Sequence, residues 1–121
     1  MRIKKLPYEL TVCKLASAAG MDLSADFFFL SQTDEELSLV CKTSDTPENT
    51  VAREDGWRGF RIEGQLDFSL IGILSKISAV LAEARIGIFA VSTFNTDYIL
   101  VKENNFAHAM EALEKAGYEI C

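Results

Sequence analysis

The chain has 121 residues, 49% hydrophobic and 25% charged, with two prolines and no low-complexity tract, which is the balance of a folded globular protein rather than a disordered tail. A net charge of −6 with scattered Lys and Arg argues against a nucleic-acid surface, which needs concentrated basic charge. No apolar run has the length of a signal-peptide core or a membrane span, so the expectation is a cytoplasmic protein with no membrane partner.

In chain order, the basic residues Arg2, Lys4 and Lys5 read as a solvated end. Leu10 and Val12 mark a first strand, and "ASAAGMDLSA" leaves room for only a short helix. "FFFLSQTDEELSLV" (27–40) reads as a hairpin whose turn carries Asp34, Glu35 and Glu36, followed by "TPENTV" with at most another short helix. Three cysteines without a CxxC, Cys13, Cys41 and Cys121, fit a reducing compartment, and the two inside strand-like runs are expected to be buried thiols.

The second half is more sharply patterned. "WRGFRIEG" (57–64) alternates as a strand, with Trp57 at its start. Leu70, Ile73, Leu74, Ile77, Val80, Leu81 and Ala84 recur at steps of three and four, which predicts an amphipathic helix over 70–84. Asp67 or Ser69 can cap it, Gly72 falls in its first turn, and Gly87 serves the return. "IGIFAVSTF" is apolar on both faces and predicts a buried central strand. Asn95-Thr96-Asp97 is a turn, "DYILVKE" the return strand, and a helix follows through Phe106, Met110 and Leu113 to Gly117. "YEIC" closes the chain as a strand.

That order is β-α-β-β-α-β, the ferredoxin-like arrangement. The first half repeats it: residues 27–40 align with 88–101 at an offset of 61, and Leu10 and Val12 with Phe60 and Ile62 at 50. The fold class is therefore α+β, with two tandem ferredoxin-like βαββαβ units, the first abbreviated, divided as 1–56 and 57–121.

"EGQLDFSLIGIL" followed by "IGIFAVSTFNTDYILV" resembles the ACT domain family, in particular tandem ACT proteins of the aspartate kinase regulatory and arginine-sensor kind. The likeness is strong over 57–118 and weaker over 8–45. It implies a regulatory module that binds a free amino acid at an interface between ACT units and acts on an unidentified regulated protein. No acid/base pair or nucleophile is arranged for catalysis, so no enzyme is expected. Two short units with exposed edge strands and modest cores predict a homodimer.

The residues offer matching chemistry. Gln65, Leu66, Asp67, Phe68 and Ser69 lead into a helix start at Leu70 and Ile71, where free N–H groups and the helix dipole suit a carboxylate. Asp67 would hold the ammonium and Phe68 wall the pocket. Asp67 or Ser69 acting only as an N-cap, with Gly72 merely relieving packing, is the alternative. Ser92, Thr93, Phe94, Asn95, Thr96 and Asp97 form a second candidate cluster at a strand tip, of which Ser92, Thr93, Phe94 and Asn95 are the expected ligand residues; Asn95 to Asp97 also read as only the hairpin turn, so Ser92 and Thr93 carry more weight. Sole His108 reads as solvated, and no zinc, triad or nucleotide motif appears, so neither a metal nor a cofactor is expected. The competing function is a ligand-free oligomerisation module that keeps the fold.

Overall fold

The alternating and β-branched runs do become strands. A computed structural model describes residues 1–63 and 72–121. Among these residues there are eight strands and two helices: β1 (Arg2–Lys5), β2 (Leu10–Leu15), β3 (Phe28–Gln32), β4 (Leu37–Lys42), β5 (Thr50–Glu63), α1 (Ile73–Glu83), β6 (Phe89–Ser92), β7 (Asp97–Lys102), α2 (Glu103–Lys115) and β8 (Glu119–Ile120). The chain divides into a discontinuous unit, Met1–Pro7 with Arg58–Cys121, and an inserted unit, Tyr8–Trp57.

In the discontinuous unit the strand order is β8-β1-β5-β7-β6, with β1 antiparallel to β5 and parallel to β8. Helices α1 and α2 bury Ile77, Leu81, Phe106, Ala109 and Leu113 against Ile3, Phe60, Ile62, Ile99 and Val101. Arg2, Lys4 and Lys5 are solvated as the sequence suggests, but they stand in a strand, β1, that their pattern does not announce. All three are exposed, yet they alternate with fully buried Ile3 and sit in a ladder on β5. One apolar residue among three cations gives too short a period-two pattern to register as a strand. A correction concerns "IGIFAVSTF": β6 pairs only with β7 among the described residues and buries none of its residues fully, so it is an edge and not a central strand.

The helix ends also differ from expectation in their details. The start predicted at 70 lies partly outside the described residues, and Gly72 stands as the N-cap of α1 rather than in its first turn. Its φ of +84° is the reason for glycine there; a Cβ would meet no atom of the described residues within 4 Å. At the other end the left-handed residue is Arg85 (φ 62°), not Gly87. The Arg85 and Ile86 N–H groups close the helix on the Ala82 and Leu81 carbonyls. Helix α2 ends as predicted, with Gly117 at φ 102° and the Tyr118 N–H on the Leu113 carbonyl.

In the inserted unit the order is β3-β4-β2-β5. The short helix expected in "ASAAGMDLSA" is absent: those residues form turns, and only a 3-10 turn, Thr43–Asp45, precedes Pro47. Pro47 disfavours helical backbone at Thr46, which is extended at ψ 124°. A small core of Cys13, Leu15, Leu39 and Cys41 is covered by Met21, Phe28 and Leu37 instead of by helices. Thr11, fully buried, can donate its hydroxyl to Asp55 Oδ1 at 2.7 Å, with its oxygen also 2.9 Å from Thr43 Oγ1, so its burial is satisfied. Trp57 lies within β5 rather than at its start and is half-buried.

The two hairpins share one geometry. Thr33 N–H bonds to the Glu36 carbonyl at 2.9 Å, and Thr93 N–H to the Thr96 carbonyl at 2.8 Å. Strands β4 and β7 have the same pattern of burial, three central buried residues flanked by half-buried ones. Lys42 and Lys102 stand in matching extended conformations at the starts of the 3-10 turn and α2. Each of these correspondences has an offset of 60, one less than the 61 read from the sequence. A run of three consecutive apolar residues on both return strands tolerates a slip of one, which side-chain identity alone does not detect.

Candidate functional site

Of the expected ligand residues, Gln65, Leu66, Asp67, Phe68, Ser69, Leu70 and Ile71 lie outside the described residues. They connect the end of β5 at Glu63 to the N-cap of α1 at Gly72. The other four, Ser92, Thr93, Phe94 and Asn95, are at the tip of the β6–β7 hairpin.

The tip is stiffened from within. Ser92 Oγ donates to Asp97 Oδ1 at 2.7 Å, and Thr93 Oγ1 donates to the Thr96 carbonyl at 2.9 Å. Both hydroxyl protons are thereby committed inside the hairpin, and what the oxygens have left to offer is acceptor capacity. Phe94 is 83% exposed and Asn95 is exposed at the turn itself.

Thr96 is the residue that sequence reasoning undervalued. In the sequence it reads as part of the turn, ranked below Ser92 and Thr93 in the second cluster, yet it is only 7% exposed and its Oγ1 donates to the Ile62 carbonyl at 2.7 Å. That bond fixes the hairpin turn to the last residues of β5, where the 64–71 segment begins. The available signal was a threonine between a polar turn and a strand, which does not by itself distinguish an anchor from a solvated turn residue.

Helix α1 adds one feature. Its N-cap is a glycine and so supplies no side-chain acceptor, while Gly72 O takes the Lys76 N–H at 2.8 Å and opens the ladder. The first-turn N–H groups, from Ile73 onward, have no intrahelical acceptor and carry the positive end of the helix dipole.

The two buried cysteines, Cys13 and Cys41, do not form a reactive centre. Burial, reinforced by neighbouring Cys41, pushes the Cys13 thiol up to about 11, and burial also raises Cys41. Such thiols stay protonated and unreactive near neutral pH. Among the described residues no three His, Cys, Asp or Glu side chains are placed to share a metal ion. The inserted unit has an open groove of about 840 Å3 between Ser17, Gly20 and Asp22 on one side and Asp45, Pro47 and Asn49 on the other. No pattern in the sequence pointed to it.

A family model described as the ACT domain matches residues 52–115. The chain belongs to the ACT domain family. The human protein called cytosolic arginine sensor for mTORC1 subunit 1 is 33% identical over 107 residues, covering 83% of this chain and 32% of that protein. The ACT chain thus spans about a third of the length of the curated relatives it matches. A solved Agrobacterium tumefaciens protein is 31% identical, with a TM-score of 0.87 over 99% of this chain and 91% of its own. The regulatory subunit of aspartate kinase from Thermus thermophilus has a TM-score of 0.68 over 97% of both chains. At 10% identity that likeness shows the ACT fold alone. No helix among the described residues is long and apolar enough to cross a membrane.

Proposed function

We propose that this ACT protein is a cytoplasmic amino-acid sensor, regulatory and not itself an enzyme, which works as a homodimer and passes ligand occupancy to a regulated partner protein. Its site is built from Gln65, Leu66, Asp67, Phe68, Ser69, Leu70 and Ile71 together with Ser92, Thr93, Phe94 and Asn95. The observation that carries the reading is the Thr96–Ile62 bond, which holds the second cluster against the end of β5 from which the first departs. Asp67 takes the ligand's ammonium, and N–H groups at the start of the helix take its carboxylate.

The inserted unit is an abbreviated second ACT unit in this reading. Its support is the shared hairpin turn, the matching burial along β4 and β7, and the matched lysines that precede the 3-10 turn and α2.

A thermal-shift screen against the twenty amino acids tests the function, with arginine first because the mammalian relatives are named arginine sensors. At a hundredfold excess over Kd, a ligand adds about 2.7 kcal/mol, enough to raise Tm by several degrees. Asp67→Ala abolishes that shift, and decarboxylated analogues give none. A flat response from folded protein to all twenty replaces the sensor with a ligand-free oligomerisation module.

A further inference from the structure

We propose that β3 is the surface through which two copies of the chain join, its free edge pairing antiparallel with β3 of a second copy about a two-fold axis at Leu30. This deepens the homodimer reading above and rests on it.

The backbone sets the geometry. Strand β3 has β4 as its only strand neighbour among the described residues, in a register that pairs Phe28 with Cys41, Leu30 with Leu39 and Gln32 with Leu37. The hairpin closes on the Thr33–Glu36 bond. Bonded and non-bonded pairs alternate along an antiparallel ladder, so the next bonds to β4 fall at Ser31 and Phe29. The N–H and C=O groups of Phe28, Leu30 and Gln32 therefore point away from β4. Across a two-fold axis at Leu30, Leu30 meets Leu30 of the second copy and Phe28 meets Gln32. Each of these pairs exchanges both of its hydrogen bonds.

The side chains leave that edge undefended. Exposed edge strands ordinarily carry a lysine, a proline or a bulge, or are very short. Strand β3 has five residues and none of those devices. At an edge of the discontinuous unit, by contrast, β8 has two residues, one of them Glu119. Leu30 is 38% exposed although it stands opposite Leu39 on the face of the small core. A second Leu30 would cover it. The chain's net charge of −6 opposes association elsewhere, whereas β3 brings no charge to the contact. The acidic residues Asp34, Glu35 and Glu36 lie in the turn beyond Gln32 and confine the pairing to the strand itself.

Sedimentation velocity of the full chain over a concentration series tests the proposal. The wild type is expected to sediment as a dimer. Leu30→Lys places two cations across the axis and weakens the dimer about a hundredfold or more, with unchanged circular dichroism. Leu30→Pro removes an outward N–H without touching a bond to β4, and has the same effect. Hydrogen exchange on the wild type needs no variant. The amides of Phe28, Leu30 and Gln32 are expected to lose protection on dilution, while those of Phe29 and Ser31 keep it. A dimer that persists in both variants, or protection at Leu30 that ignores dilution, overturns the β3 surface but leaves the homodimer standing. A wild type that stays monomeric at its highest soluble concentration overturns both.

Discussion

Replacing Thr96 by valine isolates the anchor of the hairpin. Valine keeps the shape and β-branching of threonine and removes only the hydroxyl. The backbone bonds of the turn, Thr93 N–H to Thr96 O among them, do not depend on that side chain. What is lost is the buried 2.7 Å bond from Thr96 Oγ1 to the Ile62 carbonyl. Deleting one partner of a buried pair leaves the other unsatisfied, at a cost of about 1–3 kcal/mol. For a chain of this length that corresponds to a fall in Tm of roughly 3–10 °C. Urea unfolding followed by circular dichroism measures the loss, and the slope should not change. Thr96→Ser keeps the donor and gives up one methyl, so it should retain most of the stability. If Thr96→Val unfolds at the wild-type midpoint, or Ser and Val lose equally, the hydroxyl is not the anchor and the tip is held by something else.

Arg85 occupies left-handed backbone at φ 62° without a glycine's freedom, so Arg85→Gly should stabilise the protein by roughly 0.5–1 kcal/mol, read as a higher urea midpoint. Cys13 ionises near 9 when unfolded and about 11 when folded, so the folded state keeps a proton that the unfolded state has released. Its contribution is intact below pH 9 and is lost as pH rises from about 9 to 11, by at most roughly 2–3 kcal/mol. The fall in urea midpoint across that window should be shallower in Cys13→Ala than in the wild type.

Elements with long, regular apolar periods were legible. Helix α2 stops just before Gly117, and the hairpins and the buried Cys13 and Cys41 stand where the sequence puts them. Features decided by a single residue's environment were not legible. Arg2–Lys5 offers one apolar side chain, so its place between β5 and β8 is a tertiary fact that the local pattern does not carry. The apolar stretch of β6 reads as central because its composition has no polar face, yet what decides edge or centre is how many neighbours pair with it. Thr96 became an anchor only through a partner 34 residues away. Loop chemistry at Ser92 and Thr93 was visible, but not that their hydroxyl protons are spent on Asp97 and on the Thr96 carbonyl.

The abbreviation of the inserted unit has a consequence for stability that the paired hairpins make measurable. Between β4 and β5 the chain has only residues 43–49, whereas α2 alone occupies Glu103–Lys115. A covering helix does not fit into that interval, so the deficit is one of chain length and not of propensity. Leu39, Val40 and Cys41 are as buried as Ile99, Leu100 and Val101 at the matching positions, but the cores behind them differ. The discontinuous unit packs two helices onto its sheet; behind Leu39 and Cys41 the inserted unit has only a small cluster with Cys13 and Leu15, covered by Met21, Phe28 and Leu37. Opening free energies follow the apolar area an opening exposes, at roughly 1.5–3 kcal/mol for each buried side chain. A difference of even one such side chain changes exchange rates by about tenfold or more. Native-state hydrogen exchange should therefore show the Leu39–Cys41 amides exchanging at least about tenfold faster than those of Ile99–Val101. Equal protection would mean that both units open only together, and that the missing helices cost the inserted unit nothing it had to supply alone.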